Sequence, residues 1–195
     1  MTFARVDFAA SLLTNGKILM IGGYKKSAEV YDPFTGIWAS TGSMSVVRYM
    51  FASTLLDNRK VFVSGGYDST AELYDPSTEA WTSTGNMTMA RCRHTSTSLN
   101  NGKVLVTGGT VDAIRCNGNW STSAELYDLL TGTWTSTNST NHLRHSHIAI
   151  AFRTGQILVT GGSFPTNAEL YNLLTQVWTM TGAISYQISY HVACL

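Results

Sequence analysis

The chain has 195 residues and a formal net charge of +1, and only 13% of its residues are charged. So small a net charge provides no field that would draw nucleic acid or an anionic membrane to the protein. No apolar run approaches the roughly 18 residues of a membrane-spanning helix, so we expect neither nucleic acid nor a membrane as a partner. The opening MTFARVDFAASLL lacks the pattern of a secretory signal, and the sequence predicts no compartment.

One block of sequence is written four times, at intervals of 43 or 44 residues except for one 53-residue step that carries an insertion. The repeats run approximately over 4–46, 47–89, 90–142 and 143–182. The tail 183–195 aligns with the segment that opens each repeat, so the chain holds five copies of that segment and four of everything else. Self-similarity at this period is typical of a propeller or another repeat array, and we treat 1–195 as a single region.

Each repeat opens with a segment of mixed apolar and small residues, such as 6–13 or 49–56, which predicts a strand. A two-residue turn follows, Asn15-Gly16 in the first repeat, and Asn-Gly predicts a hairpin in which both central residues have positive φ. The next strand is the most apolar and ends in two glycines, which permit a sharp departure and a close backbone approach. The glycine pairs are Gly22 and Gly23, Gly65 and Gly66, Gly108 and Gly109, and Gly161 and Gly162.

The second half of each repeat contains a Glu-x-Tyr segment, a turn rich in Asp, Pro and Gly, and a segment that carries a tryptophan. We predict a third and a fourth strand here, and no helical apolar period of useful length occurs. Four short antiparallel strands per repeat describe one blade of a β-propeller. The repeated residues are Glu29, Glu72, Glu125, Glu169, Tyr31, Tyr74, Tyr127, Tyr171, Trp38, Trp81, Trp134 and Trp178.

This order of Gly-Gly after an apolar strand, then Glu-x-Tyr-Asp-Pro, then Trp about seven residues after the Tyr resembles the kelch repeat. The resemblance implies an all-β, kelch-type propeller in which the first strand of each repeat lies nearest the axis. Kelch propellers usually have six or seven blades, whereas four repeats and one further inner strand occur here. We therefore expect part of a larger propeller, or a segment that self-associates through its open blade edges, since uncovered edges invite pairing.

Four arginines occupy one repeat phase at the head of the inner strands: Arg5, Arg48, Arg91 and Arg144. One interpretation is a partial ring of guanidiniums at the channel mouth that captures carboxylates of a peptide. The other is that each arginine braces the blades by bonding loop carbonyls, which the strict repetition favours. We include all four among the candidate binding residues of the loop face.

The loops between the second and third strands vary among the repeats, and recognition is usually found in such loops. They supply the remaining candidate binding residues, Tyr24, Tyr67, Arg115, Trp120 and Phe164. Trp120 beside Arg115 in the insertion is typical of an interface anchor, although Trp120 folding back on its own loop is an equal alternative. Cys116 in the same insertion is predicted to share a face with Cys92, and a bridge between them is a hypothesis for an oxidising compartment.

We expect a non-catalytic scaffold that binds a protein or peptide on the loop face, with no metal and no cofactor. No catalytic residues are predicted, because no nucleophile-elbow, phosphate-loop or zinc-protease motif occurs. Two alternatives follow from the resemblance. In the first, the chain is part of a propeller enzyme, either a copper oxidase similar to galactose oxidase or a carbohydrate-active protein. In the second, it is the substrate-recognition part of a BTB-kelch ubiquitin-ligase adaptor.

Overall fold

A computed structural model describes residues 3–111, 116–162 and 166–186. The described residues form 19 β-strands and no α-helix. Among them there is also no helix of the length and apolarity that a membrane span requires.

Four sheets of four strands follow one another along the chain, and each is an antiparallel meander whose strands pair in sequence order. The first contains β1 (Phe8–Leu12), β2 (Ile18–Gly22), β3 (Ala28–Asp32) and β4 (Ile37–Thr41). The second contains β5 (Ala52–Leu55), β6 (Val61–Ser64), β7 (Ala71–Asp75) and β8 (Ala80–Thr84). The third contains β10 (Thr95–Ser98), β11 (Lys103–Thr107), β14 (Ala124–Asp128) and β15 (Thr133–Thr137). The fourth contains β16 (Ile148–Ala151), β17 (Gln156–Thr160), β18 (Asn167–Asn172) and β19 (Val177–Ala183).

A fifth, small sheet belongs to the insertion of the third repeat. It has three strands, β9 (Arg91–Cys92), β12 (Thr110–Val111) and β13 (Asn119–Trp120), in the order β13-β12-β9. The insertion is therefore tied by backbone pairing to the head of the third inner strand.

The four large sheets are the blades of a β-propeller, confirming the predicted architecture. Their inner strands β1, β5, β10 and β16 lie side by side in that order. Within the described part of the chain, no contact of similar extent joins β16 back to β1, so the blades form an arc with two open ends. Most of the predicted fifth inner strand, from residue 187 onward, lies outside the described residues.

Repeated aromatic side chains join each blade to the one before it. The tyrosine of a blade hydrogen-bonds a threonine at the end of the preceding blade. The tryptophan donates its indole N–H to the backbone carbonyl of the residue that follows this threonine. The tyrosine bonds span 2.5–2.7 Å in Tyr74–Thr41, Tyr127–Thr84 and Tyr171–Thr137. The tryptophan bonds span 2.7–2.9 Å in Trp81–Gly42, Trp134–Gly85 and Trp178–Asn138.

The turn between the first two strands of each blade differs from the predicted two-residue turn. In the first blade the N–H of Gly16 donates to Leu13 O and the N–H of Leu13 donates to Lys17 O. Gly16 has a φ of 81°, whereas Asn15 is not in the left-handed region. The loop is thus a turn whose last residue alone is left-handed, a common three-residue hairpin geometry, and the predicted positive φ at both central residues is wrong.

Arg59 occupies the left-handed turn position of the second blade with a φ of 69°, where the other blades have Gly16, Gly102 and Gly155. A left-handed non-glycine residue costs about 1–2 kcal/mol, and the extra freedom of glycine in the unfolded chain returns about 0.5–1 kcal/mol of that. We therefore expect Arg59→Gly to raise the free energy of unfolding by about 0.5–1 kcal/mol, as measured by urea denaturation. The matched control is Gly16→Arg, since a Cβ at Gly16 meets no atom of the described residues within 4 Å. It should destabilise by a similar amount, and a loss of stability in Arg59→Gly would contradict this account.

Candidate functional site

The four repeated arginines are buried, with exposed fractions of 7% for Arg5 and 0–1% for Arg48, Arg91 and Arg144. In each blade one guanidinium N–H donates to the carbonyl of the first glycine of the pair. The glycine acceptors are Gly22, Gly65, Gly108 and Gly161, at 2.6–3.1 Å. The guanidinium also pairs with the repeated glutamate, namely Glu29, Glu72, Glu125 or Glu169, at 2.9–3.2 Å.

These contacts support the bracing interpretation, which the strict repetition already favoured, over the alternative of a ligand-binding ring. The charge of the arginines is neutralised by glutamates that are themselves 0–1% exposed, and a buried charge needs such a partner. The bracing interpretation describes the geometry, and it explains why Arg, Gly-Gly and Glu repeat together. We therefore remove Arg5, Arg48, Arg91 and Arg144 from the candidate binding residues.

Three of the glutamates, Glu72, Glu125 and Glu169, also fix the segment that enters their blade. The second oxygen of each accepts a backbone N–H from that segment: Ser45 to Glu72, Thr88 to Glu125 and Asn141 to Glu169, at 2.6–2.8 Å. Burial alone would raise the pKa of Glu169, but the hydrogen bonds from Asn141 and the charge and hydrogen bond of Arg144 outweigh burial and lower it. The carboxylate therefore stays ionised at neutral pH, as the buried ion pair requires.

The loop face carries an aromatic cluster contributed by two neighbouring blades. Tyr24, in the loop after β2, stacks on Tyr49 with ring centroids 4.3 Å apart and an interplanar angle of 12°. Tyr67, in the loop after β6, lies 6.0 Å from Tyr49 at 57°. Tyr49 is 5% exposed, whereas Tyr24 and Tyr67 are 55% and 56% exposed. The buried ring thus supports two rings that present large surfaces to solvent.

These rings line a cleft of about 740 Å³, which spans three blades. Val46, Val47 and Met50 extend its apolar surface, and Asp68, Arg93 and Asn117 supply polar groups. We call this the tyrosine cleft. Its volume and its apolar lining with few polar groups are typical of ligand sites.

The two charged side chains of the tyrosine cleft, Asp68 and Arg93, differ in how many hydrogen bonds they make to other residues of the protein. Asp68 accepts the N–H and hydroxyl of Thr70 at 2.8 and 2.6 Å and lies 3.7 Å from Arg48. Among the described residues, Arg93 makes one long bond, 3.5 Å from Nη1 to the carbonyl of Cys116, and its buried Nε has no hydrogen-bond partner there. Arg93 is the one cation among the described residues that line the cleft, and its Nη atoms keep donors that the described residues do not use.

Tyr24 is held in an uncommon backbone conformation, with a φ of 60° that Tyr67, its counterpart in the second blade, does not share. A left-handed tyrosine is strained by about 1–2 kcal/mol, and such strain persists where the surroundings impose it. The N–H of Tyr24 donates to Arg48 O at 3.2 Å, and the ring stacks on Tyr49. The strained backbone thus directs the Tyr24 ring onto the cleft wall.

The insertion of the third repeat borders the tyrosine cleft and is pinned beside it. Cys92 and Cys116 form a disulfide with a Cα–Cα distance of 5.5 Å, a usual separation for this bond. Both cysteines are buried, at 2% and 0% exposed. The bond fixes Cys116, and with it the carbonyl that accepts from Arg93.

Trp120 in the insertion is 37% exposed and lies 4.8 Å from the ring of His145 on the fourth blade. It neither lies free in solvent nor folds only on its own loop, because it bridges to the next blade. Two other candidates, Arg115 and Phe164, lie outside the described residues. The structure therefore brings Tyr24 and Tyr67 together, and places Trp120 at a separate point of the same face.

The sequence interpretation missed Tyr49, Met50 and Arg93, although a signal for Tyr49 existed. The residue directly after the repeated arginine differs in every repeat: Val6, Tyr49, Cys92 and His145. Three of these meet a loop of the same face, since Tyr49 contacts Tyr24 and Tyr67, Cys92 bonds Cys116 and His145 contacts Trp120. A variable residue beside an invariant one marks the loop face in this repeat.

The histidines near the channel serve packing in the described part of the chain. Burial, with a smaller contribution from the Arg91 charge, lowers the pKa of His94 to about 3, so the ring is neutral at physiological pH and pairs with Ser64 at 2.9 Å. His147 lies 3.1 Å from Thr95 and from Thr107. No group of three or more His, Cys, Asp or Glu among the described residues is placed to hold a metal ion.

Comparison with known proteins supports the fold and its family. The family model of the kelch motif matches residues 48–88 and 90–141. No curated protein sequence matches the chain. Among solved structures, a protein named YjhT superposes with a TM-score of 0.77 at 13% identity, over 97% of this chain and 68% of that one.

A fungal alcohol oxidase of the AA5 family, solved in complex with copper, superposes with a TM-score of 0.60 at 17% identity. The match covers 95% of this chain and 55% of the oxidase, so the chain spans little more than half the length of that enzyme. At these identities both similarities concern the fold. With its repeated Gly-Gly, Glu-x-Tyr and Trp positions, the chain carries kelch motifs over its second and third blades and has the fold of a kelch-type β-propeller.

Proposed function

We propose that this chain is a non-catalytic binding module that holds a protein or peptide segment in the tyrosine cleft. The observation that carries the proposal is the pair of half-exposed rings, Tyr24 and Tyr67, supported by the buried ring of Tyr49. Rigid aromatic side chains give a large contact area at a low cost in conformational entropy. They are also the residues that most often dominate binding energy at protein interfaces.

The polar groups of the cleft favour a peptide segment that carries an apolar side chain and a carboxylate. The apolar side chain would pack between the tyrosines and Val47, which is 41% exposed. The carboxylate would pair with Arg93, whose guanidinium has unused donors and suits bidentate binding of a carboxylate. The surrounding blades form a rigid support, since their buried arginines and glutamates pair with each other.

The test uses a displayed random-peptide library selected on the purified chain, followed by calorimetric titration of the enriched peptides. We expect Tyr24→Ala combined with Tyr67→Ala to weaken binding at least about tenfold, the equivalent of about 1.4 kcal/mol, because two contact surfaces are lost. The matched control is Phe34→Ala. Phe34 is 91% exposed but lies in the turn between β3 and β4, at the opposite end of the blade.

Unchanged affinity in the double tyrosine variant would show that the peptides bind elsewhere and would contradict the proposal. So would a selection that enriches no peptide. Equal losses in the Phe34→Ala control would also count against it, because that residue is remote from the cleft.

The oxidase alternative rests on fold similarity at 17% identity. The copper named for the fungal enzyme belongs to that protein, and the described part of this chain offers no clustered His, Cys, Asp or Glu set for a metal. No specific observation on this chain favours the enzyme or the ubiquitin-ligase alternative over the binding module.

A further inference from the structure

The tyrosine cleft carries a negative as well as a positive side chain. Of the described residues that line it, Asp68 is the one acid and Arg93 the one base. Asp68 pairs with Arg48 rather than with Arg93, and Arg93 makes only its long bond to Cys116 among the described residues. Neither charge therefore neutralises the other, and the cleft has an anionic pole beside Tyr67 and a cationic pole at the head of the third inner strand.

All contacts that the Asp68 carboxylate makes with described residues use one of its two oxygens. Oδ1 accepts the N–H of Thr70 at 2.8 Å and its hydroxyl at 2.6 Å, and the same oxygen lies 3.7 Å from Nη1 of Arg48. Oδ2 has no hydrogen bond or ion pair with a described residue, and the side chain is 36% exposed. Asp68 therefore keeps one charged acceptor for a ligand in the cleft.

Arg48 does not cancel the charge of Asp68. Its guanidinium is already paired with Glu72, at 3.0 Å from Nη2 to Oε1, whereas its separation from Asp68 is 3.7 Å. Two carboxylates thus share one guanidinium, and the three groups keep one net negative charge. The Glu72 side chain is 2% exposed, so the part of this charge that a ligand can reach lies on Asp68. A charge in this position favours a partner that brings the opposite charge.

The bracing of the blade does not require an acid at the position of Asp68. Lys25 occupies the corresponding position in the loop of the first blade. Arg5 of that blade still pairs with its glutamate at 3.2 Å and donates to the carbonyl of Ser27 at 2.8 Å. The bracing contacts therefore form with either charge at this position, and the charge of Asp68 is left for a role in the cleft.

We propose that Asp68 binds a lysine or arginine of the segment held in the cleft, so that the preferred segment has a basic, an apolar and an acidic residue. This inference rests on the proposed function, and it adds the basic residue and the side chain that selects it. Hydrogen bonds that involve charged groups are about twice as strong as neutral ones, and Oδ2 would accept one from the peptide. The two poles also give the segment one direction, since the reversed segment would place like charges together.

The test repeats the random-peptide selection on three chains: the wild type, Asp68→Lys and the control Asp57→Lys. We expect the wild type to enrich a basic residue at a fixed distance from the apolar residue. Asp68→Lys should enrich an acidic residue at that position and keep the apolar residue, because Lys25 shows that this loop position accepts lysine. Asp57→Lys makes the same change of charge at an exposed aspartate in the turn between β5 and β6, at the opposite end of the blade. It should leave the wild-type pattern unchanged.

Calorimetric titration of one selected peptide measures the size of the effect. Asp68→Asn keeps Oδ1 as the acceptor for Thr70 and removes the charge, and we expect it to weaken binding about tenfold. A peptide whose basic residue is replaced by glutamine should lose a similar factor against the wild type. It should lose nothing further against Asp68→Asn, because the two groups act as one pair.

The results separate this inference from the proposed function. A peptide that loses affinity in the Tyr24 and Tyr67 double variant but binds Asp68→Asn as tightly as the wild type would overturn the inference and leave the proposed function standing. A basic position that persists in the Asp68→Lys selection would overturn it as well. Peptides whose affinity is insensitive to both tyrosines would contradict the proposed function, and the inference would fall with it.

Discussion

Replacing Glu125 with alanine is expected to lower the free energy of unfolding by about 3–5 kcal/mol, the usual cost of leaving one member of a buried ion pair without its partner. Glu125 is 1% exposed and accepts from Arg91 at 2.9 Å and from the backbone of Thr88 at 2.8 Å. Its loss leaves the Arg91 guanidinium charged in the interior and frees the segment that enters the third blade. Urea denaturation followed by circular dichroism measures the change.

The matched control is Lys103→Ala, in the same blade. Lys103 pairs with Asp128 at 3.4 Å, but both side chains are about a third exposed, and such surface pairs contribute about 0–1 kcal/mol. We therefore expect a large difference in the loss of unfolding free energy between these two ion pairs of one blade. If Glu125→Ala cost no more than Lys103→Ala, the arginine–glutamate pairs would not be the scaffold of the blades.

Replacing both Cys92 and Cys116 with serine is expected to destabilise the protein by about 3.5 kcal/mol, because the closed loop no longer restricts the unfolded chain. The two residues are 24 positions apart and buried. Peptide binding should weaken as well, since Cys116 holds the carbonyl that contacts Arg93. The measurements are denaturation with and without reductant and titration of a selected peptide.

Thiol counting under denaturing, non-reducing conditions checks the bond itself. The wild-type chain has three cysteines, so one free thiol is expected, and none in a Cys194→Ser variant. Three free thiols in protein purified under oxidising conditions would contradict the bond, and reductant would then have no effect on stability.

The sequence alone was sufficient for the propeller, because every contact that defines a blade recurs at the same phase. Trp81 and Tyr74 illustrate this, since the indole N–H of Trp81 donates to Gly42 O and the Tyr74 hydroxyl hydrogen-bonds Thr41 of the preceding blade. The same contacts occur at each later blade. Repetition predicted the architecture and favoured a bracing arginine, but it left a binding arginine open as an alternative. Burial at 0–1% and the pairing with glutamate decided between them.

The tyrosine cleft was only partly accessible to sequence reasoning. Tyr24 and Tyr67 were identified because they lie in variable loops, but Tyr49 and Arg93 lie at the heads of inner strands, whose general pattern repeats. Tyr49 and Arg93 join the cleft because the head of each inner strand packs beneath a loop of the preceding blade. This contact between blades cannot be read from the sequence of one repeat. The turn at Gly16 shows the same limit, since the left-handed position is set by the hairpin register, in which Leu13 pairs with Lys17.

The central claim, that the tyrosine cleft is the binding surface, is tested most directly by hydrogen–deuterium exchange of the chain with and without a library-selected peptide. We predict protection at the backbone amides of 22–24, 46–50, 66–68 and 93, which border the cleft. The loops at the opposite end of the blades, such as 33–36 and 76–79, should exchange unchanged. Protection confined to those opposite loops, with none around Tyr24, Tyr49 and Tyr67, would contradict the claim.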